Sequence, residues 1–99
     1  MAKESSFQKK LKDEIKLRFP GSIITKLDPG DTQGIPDLLV LYKDRWAALE
    51  CKKSKDEPHQ PNQDYYVDKL NNMSFSAFIF PENREEVLNA MEQSLESGR

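Results

Sequence analysis

The chain has 99 residues, read as one small domain over 1–99 with a core over about 4–95 and no room for a second domain. Fifteen Lys/Arg against 17 Asp/Glu give a net charge of -2; the hydrophobic share of 36% is low, but nine aromatic residues and several apolar runs argue against a disordered chain. The apolar runs are far shorter than the roughly 20 residues of a membrane span, and a single cysteine, Cys51, excludes an internal disulfide.

In chain order, Phe7, Leu11, Ile15 and Phe19 recur every fourth position and predict a helix over 5–19, ended by Pro20-Gly21. Ser22 to Leu27 reads as a strand, and Asp28 to Gly34 as a loop of turn formers. Asp37–Tyr42 and Arg45–Glu50 are apolar runs separated by Lys43-Asp44, the pattern of a hairpin. Apolar residues on both faces of these runs predict a sheet covered on both sides. A turn-rich stretch over 54–62 precedes a helix from about Asn62 to Asn71, with Tyr66, Val67 and Leu70 inward. Ser74–Phe80 is a further strand. Pro81 opens a last helix with Val87, Leu88, Met91 and Leu95 on one face, and 96–99 reads as a loose tail. The expected fold is α/β, in the order α-β-β-β-α-β-α, with a mixed central sheet flanked by helices.

The charge is uneven. Residues 1–55 carry 12 Lys/Arg against 8 Asp/Glu, and residues 56–99 carry 3 against 9. The basic first half permits a polyanion on one face. Lys9, Lys10, Lys12 and Lys16 are most simply the solvated face of the first helix, and His59 reads as an exposed loop residue. The N-terminus lacks a signal-peptide pattern, and one Cys and one His cannot build a Cys/His zinc site. The setting expected is therefore cytoplasmic and reducing, without zinc or membrane attachment.

Three polar residues break into the apolar hairpin: Asp37 at its start, Glu50 and Lys52 at its end. With a two-residue turn at Lys43-Asp44, Asp37 stands opposite Glu50 on one face, and Lys52 emerges on that face two residues on. Cys51 then points into the opposite layer. Two carboxylates this close repel unless a cation lies between them, and their oxygen donors suit magnesium. Such an ion activates water and polarises phosphoryl oxygens, with the Lys52 ammonium positioned to neutralise developing charge. The alternative is a salt-bridged hairpin end.

Gly34-Ile35-Pro36-Asp37 followed by Glu50-Cys51-Lys52 resembles the PD-(D/E)xK nuclease signature. The wider chain is similar to the VRR-NUC (virus-type replication-repair nuclease) branch. It shares the opening helix with Glu4 and Gln8, the Pro-Asp and Glu-x-Lys strands, Gln63 at a helix start, and the closing strand and helix. The resemblance implies a restriction-endonuclease-like core. It implies metal ligands at Asp37, Glu50 and the Cys51 carbonyl, a catalytic Lys52, and Gln63 near the site. Glu4 would be a further metal or water ligand, unless Gln8 aligns there instead. Lys26 stands where the family often has Arg, and Met73 where it usually has Gly. Lys26, Lys53 and Lys55 are candidate DNA contacts.

The implied activity is a Mg2+-dependent, structure-selective DNA endonuclease, with Mn2+ as a substitute. It would resolve four-way (Holliday) junctions as a homodimer, in a bacterial cell and with a phage or prophage origin by family habit. The alternatives are a flap or general DNA endonuclease of the same fold, or a non-catalytic nucleic-acid-binding module.

Overall fold

A computed structural model describes residues 3–96, with side chains described over 6–96. Helix α1 (Lys3–Arg18) leads into β1 (Ile23–Lys26), the hairpin β2 (Leu38–Tyr42) and β3 (Arg45–Cys51), α2 (Gln63–Met73) and β4 (Phe75–Ile79). A 3-10 turn over Pro81–Asn83 runs into α3 (Arg84–Glu96). The four strands form one mixed sheet in the order β1-β2-β3-β4. The first two pairings are antiparallel, and β3 and β4 are parallel. Parallel neighbours require a crossover, which α2 provides. The α/β class and element order are those the sequence predicts. Glu96, expected in a loose tail, instead completes α3, and 97–99 lie outside the described residues.

One face of the sheet holds the core. Leu38, Val40 and Tyr42 of β2 alternate inward with Ala47, Leu49 and Cys51 of β3 and Ile79 of β4. Leu11 and Ile15 of α1, Phe19 just beyond it, and Val87, Leu88, Met91 and Leu95 of α3 close over them. The Phe19 ring meets Tyr42 edge-on at 5.1 Å. The stripes read from the sequence on the first and last helices are therefore the core, with Phe7 half-buried against it.

The hairpin register matches the sequence reading. Tyr42 pairs with Arg45 and Leu38 with Leu49, so Lys43-Asp44 is a two-residue turn, with Lys43 at a left-handed φ of 57°. The expectation of cover on both sides holds only in part. Helix α2 packs against β3 and β4, and none of its residues is fully buried. Tyr66, Val67 and Leu70 are half-buried rather than core. Over β1, β2 and the first part of β3 the second face stays open: Leu27, Ile35, Leu39, Leu41, Trp46, Ala48 and Leu70 line a trough of about 270 Å³. Edge residue Ile23 is 62% exposed, and its cross-strand partner Leu41 39%. The short crossover helix is too narrow to cover four strands.

The loop before β2 is tied down at both ends. The Leu27 N–H donates to the Asp37 carbonyl (2.8 Å), and Asp28 Oδ1 accepts from the Gly30 N–H (2.8 Å). Near its end, Gly34 has φ +92° and lies against the approach to α2. A Cβ there would stand 2.5 Å from Asn62 Cβ and 2.9 Å from the Pro61 carbonyl oxygen. Both the conformation and the contact require glycine. Gly34→Ala is expected to destabilise the fold by about 1–3 kcal/mol. Chemical denaturation checks this, and an unchanged midpoint would show that the α2 approach yields freely.

Candidate active site

The edges of β2 and β3 carry the polar residues expected there. Glu50 is 4% exposed and Lys52 2%. Charged groups at that depth need partners, and one residue, Gln63 at the first turn of α2, serves both. Its Nε2 donates to Glu50 Oε2 (2.9 Å), while its Oε1 accepts from Lys52 Nζ (2.7 Å) and from the Gln60 N–H (2.8 Å). Two donors facing one end of the amide and a carboxylate facing the other define its orientation. Lys52 Nζ also donates to the Pro58 carbonyl (3.0 Å), and the Lys52 N–H donates to the Ile79 carbonyl (2.9 Å).

Asp37 completes the group. Its Oδ2 accepts from the Cys51 N–H (2.9 Å), which ties the start of β2 to the end of β3. Burial raises its carboxyl above the usual aspartate range. The Cys51 N–H, a hydrogen bond with Glu50, and the charges of Lys52 and Lys26 act in the opposite direction without cancelling it. Asp37 and Glu50 thus share one site, with Lys52 beside them. The Cys51 side chain points into the core, as expected. In an extended strand the N–H and C=O of one residue face the same edge, so the Cys51 carbonyl is directed towards the Asp37 side.

Among the described residues, no group of three or more His, Cys, Asp or Glu side chains gathers as a metal cluster. The donors here are a carboxylate pair with an adjoining backbone carbonyl. That all-oxygen set fits magnesium, which is commonly held by one or two carboxylates and completed by water and substrate phosphate. The Glu4 side chain lies outside the described residues.

The remaining candidates spread outward. Lys26 sits at the end of β1, paired with Leu38 and close enough for its charge to act on Asp37. Lys53 and Lys55 are exposed on the following turn, where the Lys53 N–H donates to Glu57 (2.6 Å).

His59 does more than an exposed loop residue need do. Its ring stacks on Phe78 at 3.9 Å and 15°, and Nδ1 lies 2.7 Å from Asp64 Oδ1. This holds the loop whose Pro58 and Gln60 backbone atoms contact Lys52 and Gln63. The spacing of His59 and Asp64 around Gln63 was the available sequence signal. The stack on Phe78 is a long-range contact with none.

No known family model, curated protein or solved structure matches the chain.

A carboxyl whose pKa rises on folding holds its proton more tightly in the native state. Its stabilising contribution is therefore present in acid and lost as pH climbs through the raised value. Asp37→Asn, which cannot ionise, is expected to raise the metal-free melting temperature at pH 7 and to abolish any upward shift with magnesium. A melting temperature equal to or below that of wild type would show that the carboxylate is fully compensated.

Proposed function

We propose that this chain is a Mg2+-dependent, structure-selective DNA endonuclease of the VRR-NUC type, with a PD-(D/E)xK core, and that it cuts four-way junctions as a homodimer. The observation that carries the reading is the carboxylate pair of half-buried Asp37 and buried Glu50, with buried Lys52 on the same side and Glu50 and Lys52 bridged by Gln63. A salt-bridged hairpin end does not need a third residue to deliver both a donor and an acceptor to two buried charges.

Asp37, Glu50 and the Cys51 carbonyl would hold the ion. When bound, magnesium supplies positive charge that acidifies water and polarises the phosphoryl oxygens. Water oxygen attacks phosphorus and gives up a proton to solvent, while the bond from phosphorus to the sugar oxygen breaks and that oxygen takes a proton from solvent as it departs. Two of the three ammonium protons of Lys52 are committed to Gln63 and Pro58, leaving the third for a phosphate oxygen or the attacking water. Gln63 keeps Glu50 and Lys52 in register with one another. Manganese would substitute, being similarly hard. A two-fold symmetric dimer would present two such sites to a two-fold symmetric junction, which supports that substrate over a flap.

The test is a labelled four-way junction incubated with and without magnesium, alongside sedimentation of the free protein. Cleavage is expected with magnesium or manganese, at least about 100-fold slower in Asp37→Ala, Glu50→Ala and Lys52→Ala while binding persists. Calcium should support binding without turnover. Binding with no cutting in any divalent metal would replace this reading with a nucleic-acid-binding module. Cutting of flaps but not junctions would move the substrate within the class.

A further inference from the structure

A groove of about 390 Å³ runs between α1 and β1, lined by Gln8, Lys9, Lys12, Asp13, Lys16 and Lys26. It contains four cations and one carboxylate. Lys9, Lys12 and Lys16 fall at helical positions i, i+3 and i+7, so they share one flank of α1 beside its apolar stripe. The other flank is paired. There Glu14 meets Arg84 and Arg18, and Arg18 reaches Glu85 (2.9 Å) and Glu92 (3.3 Å) of α3. Two acidic residues of the second half of the chain, Glu85 and Glu92, are thus turned towards Arg18. Among the described ion pairs, none involves the groove lysines.

We propose that this groove is the track for the sugar–phosphate backbone of a nucleic-acid strand leading into the Asp37–Glu50 site. Three observations place it there. The groove is concave and strongly cationic. Its lysines are held by a helix and a strand rather than by a mobile tail. Its Lys26 end adjoins the site: Lys26 pairs with Leu38, the next residue, Leu27, is hydrogen-bonded to the Asp37 carbonyl (2.8 Å), and the Lys26 charge acts on Asp37. From Lys9 to Lys16 the helix advances about 10 Å, close to three nucleotides at about 3.4 Å per phosphate along one strand. Each lysine then has a phosphate within reach. The lysines that read from sequence as a solvated face thereby acquire a role, in positioning rather than in base recognition.

The inference rests on the endonuclease reading for its direction, towards a phosphodiester at Asp37. Binding, measured where no cutting occurs, separates the two. Wild type, Lys12→Gln/Lys16→Gln, and the charge-matched control Lys43→Gln/Lys69→Gln are titrated with a fluorescent four-way junction and a single strand in calcium, over a range of salt. The groove variant is expected to bind at least about 10-fold more weakly, with the slope of log K against log salt reduced by nearly 2, while the control matches wild type. Equal losses in both variants would overturn the groove, since net charge alone would explain them. So would unchanged binding in the groove variant, or a wild type that binds anionic phospholipid vesicles but no nucleic acid. Groove-dependent binding without cleavage in magnesium would uphold the track and sink the nuclease centre. Cleavage indifferent to the groove variant would do the reverse.

Discussion

Gln63 bridges two opposite charges that the sheet has taken out of water. Lys52 and Glu50 are almost wholly buried, and neither an isolated ammonium nor an isolated carboxylate is tolerated at that depth. A side-chain amide is suited to the task because one end donates and the other accepts. The remaining features of the site follow from the need to keep that amide in place. The loop before α2 folds back so that the Pro58 carbonyl and the Gln60 N–H meet the same group. His59 pins the loop to β4 through Phe78 and to α2 through Asp64. Gly34 allows the loop before β2 to press against Asn62, which brings the Asp37 arm and the Gln63 arm together.

The second organising constraint is the sorting of charge. An uneven linear distribution, basic in the first half and acidic in the second, becomes an uneven surface. Helix α1 divides it, with an arginine-bearing flank towards the acids of α3 and a lysine flank towards β1. Arg18 holds several carboxylates at once through its planar fork, whereas the groove lysines enter none of the described ion pairs. The net charge of -2 conceals this, because the two contributions cancel in the sum but not in space.

The sheet shows a similar division. Its inner face is completed by α1 and α3. Its outer face is completed by α2 only over β4 and part of β3, so the apolar strip of Leu39, Leu41 and Trp46 remains accessible. The apolar pattern of the hairpin records side chains that avoid polar character on both faces. It does not record whether this chain supplies enough helix to cover them.

Local periodicity and turn chemistry determined the elements, the core stripe of α1 and α3, and the pairing of β2 with β3. A two-residue turn leaves no freedom of register, so the juxtaposition of Asp37 with Glu50, and the burial of Cys51 on the other side, were legible from the order of residues alone. The bridge from Glu50 to Lys52 through Gln63, the His59 stack on Phe78, the approach of Gly34 to Asn62 and the lysine groove beside Lys26 were decided only in three dimensions. Each joins segments separated by loops of irregular path. A loop's course is set by what it packs against, not by the residues within it.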